Sequence, residues 1–337
     1  MFDVLQLHQA LVSAARPSGA EQEGIAKVLK EMAAPYVDEM RTDAMGNLIC
    51  HKKGKGKKVM LCAHMDAIGF MVTGADEHGG LSFINVGWHD PAEIINARVI
   101  FPNGTRAIIK AKESAKTLSG GWTSIRFADL YMDIGATGQK EALKKVNIGD
   151  MAIFEGAPRA VAGHRIMGPY ADDLIGCVVL LLAMEQLQES KYDVYFVFST
   201  QEEVGCRGAK TASLGIQPDI AIACDVCDSD DTPMDDKRNR VVFLGKGPAI
   251  KIKDSSVICN PALNEQLKKA AKKAELTWQD EIMVAGGTDT SAMQMSGADV
   301  MATCVSIPTR YIHSPAETYD WRDVEQAAAL LAAFLKQ

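Results

Sequence analysis

The stretch Val59–Val72 reads VMLCAHMDAIGFMV. Its first five residues, Val59–Ala63, form the short apolar run of a buried strand. The run stops on His64-Met65-Asp66, so an imidazole and a carboxylate stand where an apolar strand ends. In an open α/β sheet the ligand crevice lies beyond the carboxyl ends of the strands. At Gly69 the character of the chain changes. Residues 69–165 hold 13 of the 28 glycines. Within them, runs of β-formers such as LSFINVGW, ARVIFP, RAIIKAK, SIRFADLYMDIG and MAIFEG lie between turn signals. Pro102-Asn103-Gly104 and Ile148-Gly149-Asp150 are two of those turns. This spacing predicts a small all-β unit.

Outside that unit, strand and helix signals alternate. Val194–Ser199, Ile220–Cys224 and Val300–Ile307 read as buried strands. Leu174–Leu187, Pro261–Glu275 and Asp323–Lys336 read as helices, the second with Asn260 as N-cap and Pro261 in its first turn. The N-terminal residues predict an amphipathic helix with Leu5, Leu7, Leu11 and Val12 inward. The expected fold is therefore α/β. One domain, residues 1–68 plus 166–337, is interrupted by an inserted β domain, residues 69–165.

Composition narrows the function classes. With 337 residues, 47% apolar and 23% charged, the chain is long enough for a sizeable core and too balanced for a disordered segment or a rod. Its longest apolar runs fall far short of the ~20 residues of a membrane helix. A net charge of −7 argues against nucleic acid as a partner. The lysine run Lys52, Lys53, Lys55, Lys57, Lys58 reads as a solvated turn, and Asp228–Asp236 carries five aspartates. The N-terminus lacks the basic and long apolar regions of a secretory signal. The eight cysteines mostly sit in apolar runs, so a reduced, cytoplasmic location is expected.

Polar residues recur at the strand ends. His64 and Asp66 follow VMLCA, Glu202 and Glu203 follow VYFVFSTQ, Asp225 follows IAIAC, and His313 follows CVSIPTRYI. GPYADDLIG adds Asp172 and Asp173 before a helix. Mixed imidazole and carboxylate donors suit divalent metals in hydrolytic sites. Two cations need one carboxylate that bridges and about two further ligands each. Asp172 or Asp173 can bridge, with His64 and Asp225 on one ion and Glu203 and His313 on the other. Glu202 is then free to act as a base, and Asp66 can orient His64. Cys224-Asp225-Val226-Cys227 has CxxC spacing but no second pair, so a redox role is not expected.

These residues resemble the co-catalytic metallo-aminopeptidases of metallopeptidase family 42, the glutamyl and tetrahedral aminopeptidases. The matching segments are AHMDAIGFMV (63–72), DLYMDIGA (129–136), ADDLIG (171–176), YFVFSTQEEVGCRGA (195–209), GGTDTSAMQ (286–294) and IPTRYIHSPAE (307–317). They fall in the expected order over essentially the whole chain. The resemblance implies a mixed-sheet α/β/α zinc-exopeptidase-like catalytic domain with a barrel-like dimerisation insert. It implies His64, Asp172, Glu203, Asp225 and His313 as ligands of two divalent ions, zinc or cobalt, with manganese also suitable. Glu202 matches the family's general base and Asp66 the carboxylate behind the first histidine. Asp172 is preferred over Asp173 for its spacing to Glu203. Thr288 and Asp289 are candidates for the substrate pocket. Short peptides are the implied substrates, and dimers assembling to a dodecamer the implied oligomer. Two positions depart from the pattern: Ala67 replaces a usual Glu, and Leu174 a usual Arg. The alternatives are an endoglucanase-like glycoside hydrolase, which needs two carboxylates and no histidines, and a catalytically silent assembly protein on the same fold.

Overall fold

The computed structural model describes residues 3–112, 124–229, 231–233, 242–297 and 299–336. Of the acidic stretch, Asp230 and Met234–Asp236 lie outside them. The strand Lys58–His64 occupies the middle of an 11-stranded mixed sheet. It runs parallel to Asp193–Ser199 on one side and to Ile220–Asp228 on the other. Ile220–Asp228 in turn runs parallel to Met301–Arg310. Antiparallel strands extend both flanks, Leu48–Lys52 and Glu39–Thr42 on one, Glu317–Asp320 and Arg165–Gly168 on the other.

The central strand shows why the sheet needs cover on both faces. Val59, Leu61 and Ala63 join one apolar cluster, and Met60 and Cys62 another. Successive side chains of a strand point to opposite faces, so a continuous apolar run buries both. The first face packs on Val4–Ala14, Ile25–Ala33, Ala171–Gln186, Pro261–Lys273 and Trp321–Leu335. The second packs on Arg207–Ile216 and Asp289–Gln294. Every residue from Ala171 to Met184 is buried. From Leu174 to Met184 that helix is apolar all round because it lies between the sheet and Trp321–Leu335. Each such Leu or Val contributes roughly 1.5–3 kcal/mol by leaving water. Asn260 caps Pro261–Lys273, its side chain accepting from the Leu263 N–H at 3.1 Å.

Between Gly69 and Phe154 six strands close into a barrel, in the order Gly69–Ala75, Leu81–Val86, Leu130–Asp133, Arg106–Ala111, Arg98–Ile100, Met151–Phe154. Phe70 fills it, edge-on to Phe83 and Phe154. A seven-residue helix, Gln139–Lys145, interrupts the strands. The expectation of all-β structure missed it because it buries only Ala142 and so lacks an apolar stripe. Arg159–Ala160 and Arg165–Gly168 already pair within the large sheet. Two strands run further than the sequence suggests, to Asp228 and Arg310, because their parallel pairing continues to Asp228↔Thr309. Asp225 therefore lies inside a strand, not beyond its end.

His8 ties the first helix to the rest. Its ring is fully buried between the Tyr319 hydroxyl, 2.9 Å from Nδ1, and the Tyr170 carbonyl, 3.0 Å from Nε2. A carbonyl only accepts, so Nε2 carries the proton and Nδ1 accepts from Tyr319. Burial lowers its pKa to about 4, from the ordinary 6.5. Between those values the unfolded chain binds the proton and the folded chain does not. Stability is thus full above pH 6.5 and falls as pH drops toward 4, by ~1.4 kcal/mol per unit. In urea titrations at pH 7, 5.5 and 4.5, His8→Phe is expected to show a shallower acid loss than wild type by about one proton. Equal slopes would contradict the buried neutral ring.

Candidate active site

The carboxyl end of Lys58–His64 brings the predicted residues together. His64 closes that strand, Glu202 and Glu203 follow its neighbour Asp193–Ser199, and Asp225 lies in its other neighbour. Asp172 and Asp173 open the long apolar helix, joined by a cis peptide. His313 follows Met301–Arg310 in a left-handed backbone conformation, φ 65°.

Asp172 stands between the two histidines. Its Oδ1 lies 3.0 Å from His64 Nε2 and its Oδ2 3.1 Å from His313 Nε2. Glu203 Oε2 is 3.4 Å from the same nitrogen of His313. The neighbouring aspartate points elsewhere: Asp173 accepts the backbone N–H of His64 at 3.1 Å and of Gly176 at 3.0 Å. Gly176 permits this approach, since a Cβ there would sit 2.3 Å from the Asp173 carboxylate. Two sets of donor atoms that include His64 each lie within 4.8 Å of one another, His64 with Asp172 and Glu203, and His64 with Asp173 and Asp225.

Asp66 is fully buried. His64 Nδ1 meets its backbone carbonyl at 3.1 Å and its carboxylate only at 3.5 Å. The carboxylate instead accepts the N–H groups of Glu202 at 3.0 Å and Glu203 at 3.2 Å, and the Ser18 hydroxyl at 2.6 Å. It holds the glutamate pair as much as it orients the imidazole. Glu317 does the same on the far side, accepting the N–H of Asp172 at 2.9 Å and of His313 at 2.8 Å. Sequence reasoning gave Ser18 and Glu317 no role. Glu317 ends the segment IPTRYIHSPAE, so a signal was present, but its task is to bind backbone, which leaves no pattern in side-chain types.

The electrostatics favour cations. Burial, opposed by His64, lifts Glu202 to about 7, and burial lifts Glu317 to about 8. Burial, with Asp172 nearby, pushes Glu203 and Asp225 well above the carboxylate range. Asp172 goes the other way: burial opposes its charge, but the hydrogen bonds from His313 and His64 hold it well below that range. Glu203 Oε1 is buried with no hydrogen-bond partner. Crowded carboxylates, two imidazoles and an unused oxygen fit a site for hard or borderline divalent ions.

These groups line a cavity of about 470 Å³, with Val226, Cys227, Met283, Ala285, Ile312 and Thr288 forming much of its wall. Lys251 is the one lysine or arginine among its described lining residues. It is buried against Glu281 at 2.7 Å and Asp254 at 3.1 Å. Trp88, from the barrel, is 63% exposed and sits 5.8 Å from the His313 ring. The expectation for Thr288 and Asp289 divides here. Thr288 lines the cavity, whereas Asp289 is buried beside it, accepting from Ser199 at 2.6 Å. The departing residues do not enter: Ala67 and Leu174 are fully buried.

Residues 46–330 match the M42 glutamyl aminopeptidase family. A lysyl aminopeptidase of Pyrococcus furiosus is 34% identical over 98% of this chain and 96% of its own length. Among solved structures, an aminopeptidase from the archaeon Desulfurococcus kamchatkensis superposes with TM-score 0.94 at 34% identity, covering 99% of this chain and 94% of its own. A TET1 peptidase of Pyrococcus horikoshii, which can assemble into a tetrahedron or a large octahedral shell, superposes with TM-score 0.87 at 30% identity, covering 99% and 100%.

Proposed function

The chain belongs to the M42 glutamyl aminopeptidase family, a family of peptide-bond hydrolases, and from that premise we propose that it removes N-terminal residues from short peptides at a dinuclear metal centre. The observation that carries this reading is Asp172, which turns one oxygen to each of two histidines. In this reading His64 and Asp225 hold one divalent ion, Glu203 and His313 the other, and Asp172 both. Zinc, cobalt and manganese all suit the donor set. When bound, such a pair polarises the scissile carbonyl and makes water more acidic.

The chain's own residues supply the rest. Glu202, held near neutrality by burial, takes a proton from the attacking water and returns it to the leaving amine. Asp66 fixes its position through the Glu202 N–H. Trp88 and Ile312 add apolar wall to the cavity. In this reading the barrel is the dimerisation unit, and dimers assemble further; the TET1 relative can assemble into a tetrahedron or a large octahedral shell. No described helix is long and apolar enough to cross a membrane. All eight cysteines are free, which suits a reducing cytosol.

The cavity also bears on specificity. Among the described residues lining the cavity, Lys251 is the one lysine or arginine, and it is already paired with two carboxylates, so an acidic substrate side chain meets no unpaired basic side chain among them and faces several carboxylates. The test is a panel of aminoacyl chromogenic substrates with zinc, cobalt or manganese, with and without EDTA. Neutral apolar residues are expected to be cleaved at least ~10-fold faster than glutamate, the cost of an unpaired buried charge being at least ~1.4 kcal/mol. EDTA is expected to abolish turnover. Turnover that survives chelation, or cleavage of a glycosidic substrate in its place, would remove the peptidase reading.

A further inference from the structure

We propose that Glu202, Cys206 and Asp289 form a separate cation site that takes a thiophilic divalent ion and thereby blocks the enzyme. The three side chains bring ligand atoms within 4.8 Å of one another. None of them belongs to the set proposed for the catalytic pair, and none of that set carries sulfur.

The local backbone builds the first half of the site. After Glu202 the chain turns tightly, with the N–H groups of Gly205 and Cys206 both 2.8 Å from the Glu202 carbonyl. Cys206 then takes a left-handed conformation, φ 51°, at the start of Arg207–Ile216. This returns its thiol to the glutamate, Sγ donating to Oε1 at 3.1 Å. Asp289 completes the group from the opening of the Asp289–Gln294 helix. Its Oδ2 is engaged by Ser199 at 2.6 Å and Cys62 at 3.5 Å. Its Oδ1 has no hydrogen-bond partner, although the residue is only 2% exposed. A buried carboxylate oxygen with no donor costs stability, and a cation satisfies it.

Charge and softness identify the ion. Glu202 and Asp289 add two carboxyl groups next to the proposed ligands of the pair, and the group brings no basic side chain of its own. Burial lifts the Asp289 carboxyl to about 6, with His64 and the Ser199 hydroxyl opposing it. A thiolate favours zinc or cadmium over manganese or magnesium. On binding, the S–H bond breaks, the sulfur–metal bond forms, and the proton leaves to solvent. Glu202, once a ligand, no longer accepts a proton from water. Excess of a soft ion therefore inhibits a chain that a harder ion activates.

The site stands without the peptidase reading; the inhibition rests on it. The experiment uses the full chain loaded with manganese and titrated with cadmium, following ultraviolet thiolate-to-cadmium absorption and aminopeptidase turnover together. One saturating thiolate band per chain is expected, with turnover falling at the same midpoint. Cys206→Ser should remove the band and raise the inhibitory midpoint at least ~10-fold. Asp289→Asn, which keeps the thiol, should weaken both midpoints and serves if the serine variant does not fold. No band in the wild type, or a band or inhibition unchanged in the variants, overturns the proposal. A normal band in a chain without activity under any metal preserves the site and removes the peptidase reading instead.

Discussion

Glu202→Gln is expected to lower kcat on the order of 10³-fold, within the range a positioned general base contributes. The amide keeps the shape of the side chain and can still accept from Cys206. The backbone anchor through Asp66 is untouched, because it uses the Glu202 N–H. What disappears is the capacity to hold a proton near neutrality, which burial gives this carboxyl by lifting it to about 7. Since Glu202 is not among the proposed ligands of the pair, metal content measured by elemental analysis should match the wild type, and KM should change far less than kcat. A fully metallated variant with near-normal turnover would show that another group moves the proton.

Asp172→Asn is expected to act through the metals instead. Outer partners of metal ligands alone change affinity by roughly 10–100-fold, and Asp172 faces both histidines directly. Its loss should leave fewer than two ions per chain after dialysis and bring turnover to background. The metal-free chain should also lose stability, because His64 and His313 lose the carboxylate that raises their pKa values above the ordinary 6.5. Raised histidines contribute stability below pH 6.5, and that contribution fades as pH climbs through their folded values. The variant's deficit should therefore be larger at pH 6 than at high pH. Retention of two ions with normal turnover would move the bridging role away from Asp172.

Much of the candidate site was legible because it sits at strand ends. His64, Glu202, Glu203 and His313 each come after an apolar run; one such residue alone is usually structural, and it is their joint occurrence at successive strand ends that carries the signal. Asp225 was legible as a residue but not in place, since pairing with Met301–Arg310 carries its strand onward to Asp228. The choice between Asp172 and Asp173 rested on spacing in the sequence. The geometry separates them by partners: histidine nitrogens for one, backbone N–H groups for the other. Thr288 and Asp289 are adjacent in sequence, yet only Thr288 reaches the cavity, because Thr288 caps the short helix and Asp289 turns inward to Ser199.

By itself, the sequence determined the local things. Alternating apolar runs called for a sheet covered on both faces, glycine-rich turns called for an inserted β unit, and ordered motifs called for a family. These depend on residues a few positions apart, whose preferences are set by backbone and side-chain chemistry alone. Only the tertiary structure decided which distant groups meet. Ser18 reaches Asp66, Glu317 reaches Asp172, Trp88 crosses from the barrel toward His313, and Cys206 lies against Glu202 beside Asp289. Such contacts follow from how sheet, helices and barrel pack, and packing is a property of the whole chain.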